Sequence, residues 1–219
     1  MDYELFDQWQ FLKDGRFITL SEKDGYRRLY LYARDGTEIR CLTPEKRDVM
    51  QVYGLDPTEQ IVYFEAATTP LTRHAYALGL KKGEQVCLTA FQEGTHQLKF
   101  SNDKTKAVDC FSATTTPNIY TLYQLTDKGM QLKKLHTLED NAALAQRWKN
   151  EKHPQKQFFA FRTERGDSLN GWIMRPMEKG KYPAIVLQYS GPASQRVLNR
   201  WRRTWDYYLA QQGYMVVCV

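Results

Sequence analysis

The residues best suited to chemistry in this sequence are Gln188-Tyr189-Ser190-Gly191-Pro192. They close an apolar run, Tyr182–Tyr189 (YPAIVLQY), of the kind found in strands covered on both faces of an α/β sheet. Such sheets place their ligands at the carboxyl ends of the strands. A phenol there, ahead of a Gly-Pro turn, can donate a hydrogen bond to a developing oxyanion. The same hydroxyl can equally satisfy a nearby loop carbonyl. Tyr189 is therefore the candidate catalytic residue, with a structural role as its alternative.

Other chemical signals are weaker. Gly166-Asp167-Ser168-Leu169 spells the GDSL esterase motif, but four letters carry little weight. No Asp has a His three residues later, and the residues after Ser168 read as a strand, so a hairpin turn is expected. There is no G-x-S-x-G nucleophile elbow and no glycine-rich phosphate loop. The histidines, His74, His96, His136 and His153, show no i, i+4 pairing. His74 and His96 read as hydrogen-bonded or solvated sheet residues. Cys41, Cys87, Cys110 and Cys218 form no C-x-x-C pair, and they read as buried apolar side chains. No metal and no cofactor is implied.

The elements that must hold Tyr189 fall into two parts. In the first, markers recur every 46 or 47 residues. Leu42-Thr43 returns as Leu88-Thr89 and, more faintly, as Leu135-His136-Thr137. Thr68-Thr69-Pro70 returns as Thr115-Thr116-Pro117, and the turn residue Asp56 as Asp103. Between the markers lie strand-like runs: 16–21, 28–33, 60–65, 74–78, 85–89, 97–101, 107–112 and 119–125. Asp14-Gly15, Asp24-Gly25, Asp35-Gly36 and Lys128-Gly129 punctuate them as turns. Three or four short antiparallel strands per repeat describe a propeller blade. Residues 1–137 then hold about three blades, whereas closed propellers typically have about 4–8. Either copies associate or the chain belongs to something longer; the second is the expectation.

The second part reads as a helix over 138–149, capped by Asp140 or Asn141, and a break at Lys152-His153-Pro154. A hairpin over 157–163 and 169–175 follows. Tyr182–Tyr189 is then a strand, and 194–212 a helix with Val197, Leu198, Trp201, Trp205, Tyr208 and Leu209 on one face. Gly213 is its C-cap, and Tyr214–Val219 is a second buried strand. Strand, helix, strand is the unit from which α/β sheets grow. The expected fold is mixed: the last blades of a β-propeller at 1–137, a connecting helix and linker at 138–154, and the start of an α/β domain at 155–219.

Composition narrows the class. The 219 residues are 42% hydrophobic and 26% charged, which excludes wholesale disorder. No run is long and apolar enough for a membrane span, and Met1-Asp2-Tyr3-Glu4 does not open a signal peptide. The net charge of +6 is interleaved along the chain. Its one dense cluster, Arg196, Arg200, Arg202 and Arg203 beside Trp201 and Trp205, reads as the solvated face of a helix and not as a nucleic-acid patch. No nucleic-acid partner is expected.

Four stretches carry a family resemblance: 21–32 (SEKDGYRRLYLY), Leu138-Glu139-Asp140-Asn141, Lys181-Tyr182-Pro183, and 189–195 (YSGPASQ). Together, in this order and over nearly the whole chain, they resemble the dipeptidyl peptidase IV branch of the prolyl oligopeptidase family of serine peptidases. The resemblance implies an eight-bladed propeller joined to a C-terminal α/β-hydrolase domain, which removes X-Pro or X-Ala dipeptides from peptide N-termini. It implies a periplasmic or secreted parent with peptide substrates. It matches Tyr189 to the oxyanion-hole tyrosine. It also implies that the Ser/Asp/His triad lies beyond Val219 and the paired glutamates that hold the substrate amino terminus lie before Met1. Glu22 and Glu139 belong to a turn and a helix start and take neither role. The chain is thus expected to be an inert internal fragment that self-associates. The alternative is a free-standing propeller-type interaction module closed by self-association.

Overall fold

The computed structural model describes residues 8–189, 191 and 194–219. It separates into two compact units, one formed by the chain up to Phe111 with Ile119–Asp140, the other by Ser112–Asn118 with Asn141–Val219.

The first unit holds three four-stranded antiparallel sheets, each ordered as the chain runs. The first contains β1 (Gln10–Phe11), β2 (Phe17–Ser21), β3 (Arg28–Tyr32) and β4 (Glu38–Cys41). The second contains β5 (Val49–Leu55), β6 (Ile61–Ala66), β7 (His74–Gly79) and β8 (Gln85–Cys87). The third contains β9 (Thr95–Phe100), β10 (Lys106–Ala113), β11 (Thr116–Thr126) and β12 (Gln131–Glu139), with the tip of its β10–β11 hairpin assigned to the second unit.

The strand alternation explains the stacking. Every residue of β6 and β7 is buried. Successive side chains of a strand point to opposite faces. Val62, Phe64, Tyr76 and Leu78 therefore join Ile18, Leu20, Leu29 and Leu31 in one core. Ile61, Tyr63, Ala75 and Ala77 join Leu98, Ala107 and Leu125 in another. The second sheet is the shared wall of both.

The repeating letters have hydrogen-bonding roles. The Thr43 hydroxyl accepts from the Leu29 amide at 2.9 Å, and 46 residues on the Thr89 hydroxyl accepts from the Ala75 amide at 3.1 Å. Each Leu-Thr pair so ties the end of a fourth strand to the start of the third. Tyr30 pairs across strands with Cys41, Tyr76 with Cys87, and Tyr123 with Lys134. The Asp56 carboxylate accepts from the Gln60 and Ile61 amides, each at 2.7 Å, and closes the β5–β6 turn. Its counterpart Asp103 accepts from Ser101 and Thr105, and these hydrogen bonds hold its carboxyl down at about 2.

The fourth sheet, in the second unit, is ordered β13-β14-β16-β15. It contains β13 (Lys156–Arg162), β14 (Ser168–Met174), β15 (Ala184–Leu187) and β16 (Met215–Cys218). The first three of these neighbours pair antiparallel, whereas β15 and β16 run parallel. Two helices accompany it, α1 (Ala142–Asn150) and α2 (Trp205–Gln211). Among the described residues no helix is long and apolar enough to cross a membrane.

Three expectations need correction. The helix expected at 138–149 starts only at Ala142, because Tyr120↔Glu139 and Thr121↔Thr137 pairing extends β12 through Glu139. Asn141 does take the N-cap position, in the left-handed region (φ 50°), and its carbonyl accepts from the Ala145 amide, but its side-chain amide donates to the Asn118 carbonyl and makes no capping bond. The helix expected at 194–212 is confined to α2. Asn199 Oδ1 accepts from the Thr114 amide at 3.0 Å, and the Trp201 amide donates to Ser112 Oγ. Trp201 and Arg203 also pack on Trp148. These contacts outweigh the apolar periodicity before Trp205. Lastly, β15 is an edge strand exposed on alternate residues, with Val186 64% exposed, and is not covered on both faces.

The expected C-cap is present. Gly213 has φ +92°, its amide donates to Ala210 O, and the Tyr214 amide donates to Leu209 O, the double bond pattern that ends helices at glycine.

Candidate functional site

Tyr189 lies two residues past the carboxyl end of β15, beside the end of β16, where Leu187 pairs with Cys218 and the Val219 amide donates to Leu187 O. Its side chain is 59% exposed. The ring folds back over Gly191. A Cβ at position 191 would lie 2.7 Å from ring atom Cε1 and 2.8 Å from the hydroxyl oxygen. A side chain at 191 would push the ring out of this position. The Ser194 amide donates to Gly191 O and closes the turn at 3.3 Å, while the Arg196 guanidinium lies 5.9 Å from the Tyr189 ring centroid. That cation is within reach of the ring face. Ser190 and Pro192, part of the motif read from sequence, lie outside the described residues.

Within the second unit, α2 is tied to the sheet by a buried ion pair. Lys156 Nζ on β13 lies 3.1 Å from Asp206 Oδ2 on α2, with side chains only 7% and 4% exposed. The ammonium also sits 4.2 Å from the Trp172 ring centroid. The Thr204 hydroxyl donates to the other Asp206 oxygen. Tyr207, next along α2, has its phenol pushed up to about 12, chiefly by burial and then by the Asp206 charge.

The remaining candidates do not converge on Tyr189. Gly166 (φ +89°) and the Thr163–Asp167 backbone bonds form a hairpin turn, and Ser168 opens β14. His74 and His96 are buried and hydrogen-bonded in the first unit. His136 is exposed on β12. His153 packs its ring 3.5 Å from that of Trp148. The four cysteines are free thiols; Cys218 is buried, whereas Cys41, Cys87 and Cys110 are half-buried, less covered than their apolar reading implied. Among the described residues no group of three His, Cys, Asp or Glu is arranged to hold a metal. Sequence reasoning missed the Lys156–Asp206 tie, whose partners are 50 residues apart; only the strand–helix–strand layout could have suggested it.

Three repeated four-stranded sheets followed by a mixed sheet with a parallel strand–helix–strand unit define a sheet-rich, propeller-like protein. The family described as the dipeptidyl peptidase IV (DPP IV) N-terminal region matches residues 3–118, and the chain belongs to that family. Among curated relatives, dipeptidyl peptidase 4 of Arthroderma otae is 27% identical over 191 residues, 85% of this chain and 24% of its own. The Trichophyton rubrum enzyme of the same name is 26% identical over 190 residues, 84% of this chain and 24% of its own. The crystal structure of Porphyromonas gingivalis dipeptidyl peptidase 4 superposes with a TM-score of 0.87 at 35% identity, over 99% of this chain and 30% of that one. A putative dipeptidyl aminopeptidase IV from Bacteroides ovatus shares the fold, with a TM-score of 0.78 at 24% identity over 96% of this chain and 33% of that one. The chain thus spans about a quarter of the length of the curated relatives it matches.

Proposed function

We propose that this chain serves as part of a serine-type dipeptidyl peptidase that removes X-Pro or X-Ala dipeptides from peptide N-termini. In this reading the three repeated sheets are the last blades of a propeller, with β12 carrying the third past 137 to Glu139, the residues from there to 154 connect, and 155–219 open an α/β-hydrolase domain. Tyr189 is the oxyanion donor, and the chain on its own is inert. The observation that carries the reading is the exposed Tyr189 phenol at the end of a parallel strand, over a glycine that leaves room for its ring.

The chemistry follows from that placement. Attack of a serine oxygen on the scissile carbonyl moves the π electrons onto the carbonyl oxygen. A fixed phenol O–H stabilises that negative oxygen more than the neutral carbonyl, so it lowers the barrier and not merely the binding energy. Tyr189→Phe removes the donor and keeps the ring over Gly191. In the peptidase that contains this sequence, the loss is expected to lower kcat on a Gly-Pro chromogenic substrate by about 10²–10³. KM should change little, because the bond is made in the transition state. A kcat within about threefold of wild type returns Tyr189 to a structural role. Turnover by the 219-residue chain alone, surviving repurification, overturns its inertness.

A further inference from the structure

Two histidines and an aspartate meet where the second and third sheets adjoin, and the peptidase chemistry uses none of them. There Arg73 and Thr95 form a parallel bridge; the Arg73 amide donates to Gly94 O and the His96 amide to Arg73 O. The rings of His74 and His96 lie 5.2 Å apart. His74 is 1%, His96 0% and Asp109 2% exposed.

The bonds of His96 fix its proton count. Its Nδ1 lies 2.7 Å from Asp109 Oδ2 and its Nε2 2.9 Å from the Gln92 carbonyl oxygen. A backbone carbonyl has no proton to give, so Nε2 must carry a hydrogen. An ionised carboxylate also only accepts, so Nδ1 must carry one too. Turning the ring over about Cβ–Cγ would put carbons at both positions and lose both bonds. The pair therefore holds one proton more than a neutral imidazole beside a carboxylate. Among the described residues Asp109 Oδ1 has no hydrogen-bond partner, so His96 is the side chain that meets this carboxyl.

His74 is bound differently. Its Nδ1 lies 3.1 Å from both Thr89 O and Thr89 Oγ1, while Nε2 has no hydrogen-bond partner and Glu93 Oε2 stands 3.8 Å away. Donation from Nδ1 to Thr89 O leaves Nε2, which has no partner among the described residues, as a lone pair and not as a buried N–H without an acceptor. A neutral ring there also avoids stacking two cations in a buried site.

We propose that His96 and Asp109 form a buried imidazolium–carboxylate pair that holds a proton in the third sheet, beside a neutral His74. Losing the proton would set Nε2 against the Gln92 carbonyl or Nδ1 against the carboxylate, acceptor facing acceptor. The other titratable groups around the cluster are Cys87 on β8; Glu93; Tyr53 on β5, which donates to Glu65; Tyr123 on β11; and Arg73 at the bridge. Of these, none replaces His96 at Asp109 Oδ2 at hydrogen-bond distance.

The test is nitrogen-15 NMR of the full chain labelled at histidine, at neutral pH. His96 is expected to carry a slowly exchanging hydrogen on each ring nitrogen, and His74 on Nδ1 alone. Asp109→Asn removes the charge at nearly constant shape. It should leave His96 with one ring hydrogen, on Nε2. His74→Phe should leave both hydrogens on His96. A single ring hydrogen on wild-type His96 overturns the proposal, as do two ring hydrogens on His96 in Asp109→Asn. If that variant does not fold, the wild-type spectrum decides alone. Peptidase activity enters neither readout, so this result is independent of the role of Tyr189.

Discussion

Asp206→Ala should destabilise the second unit more than any surface change in it. In the native chain Asp206 Oδ2 lies 3.1 Å from Lys156 Nζ, both groups are nearly dry, and Trp172 covers the ammonium. At that distance, with an effective dielectric of about 20, the attraction is about 5 kcal/mol. Desolvating two ions costs several kcal/mol each, so the pair adds little net stability. Removing one partner is different, because the desolvation of the other remains. The expected loss for Asp206→Ala is about 3–5 kcal/mol, eased by about 0.5 kcal/mol from the better helix propensity of alanine in α2. Lys156→Met with Asp206→Leu removes both charges and should return within about 1 kcal/mol of wild type. Urea unfolding followed by tryptophan fluorescence reads this unit selectively, since Trp148, Trp172, Trp201 and Trp205 lie in it and only Trp9 lies in the other. A loss below about 1 kcal/mol for Asp206→Ala would show that water reaches the ammonium and would refute the buried-pair reasoning.

Thr89→Val keeps the shape but strips the hydroxyl that accepts from the Ala75 amide; a buried donor left unpaired costs about 1–3 kcal/mol, measurable as a lower urea midpoint. The phenols of Tyr63 and Tyr207 are each pushed up to about 12 by burial first and a neighbouring aspartate second. Their folded values lie above the unfolded value of about 10. The stability they contribute is therefore complete below about 10 and lost as pH rises through about 12. Spectrophotometric titration should show phenols ionising near 12 together with unfolding, and ionisation of all tyrosines near 10 in a still-folded chain would contradict this. Self-association is expected through the Trp9, Phe11, Phe17 and Tyr32 rings, which stack along the first sheet with Phe11 exposed. Light scattering that shows only monomer at tens of micromolar counts against it.

The sequence displayed the repeat but not all of its strands. β4 and β12 are polar and largely exposed, so they lack an apolar signal and exist because a partner strand supplies the ladder. β5 carries Gly54 at φ +107° and register shifts between Val49 and Gln51 and between Val52 and Gly54, which hide its alternation. The helix read over 194–212 had the right period for twelve residues too many, since periodicity cannot register that Asn199 and Trp201 bond to Ser112 and Thr114. The position of Tyr189 just past a strand end was legible. The need for glycine at 191 was not, because it depends on where the Tyr189 ring lies. The His96–Asp109 contact was also hidden, since it joins adjacent strands 13 residues apart in no recognised pattern.

What survives from one repeat to the next follows the directionality of the forces involved. Thr43 and Thr89, or Asp56 and Asp103, each place an oxygen at hydrogen-bond distance from a particular amide, and few other side chains can do so. Tyr30, Tyr76 and Tyr123 hold one cross-strand position, whereas their flanking residues change: Leu29 and Leu31 give way to Ala75 and Ala77. Burial is non-directional and asks only for filled volume. The first core fills its space with leucines from β3. In the second core the alanines of β7 leave volume that Tyr63 and Leu98 occupy from other strands. A period carried by polar turn and end residues, with apolar positions free to trade size across the sheet, is therefore the pattern that stacked sheets sharing a common wall should leave in a sequence.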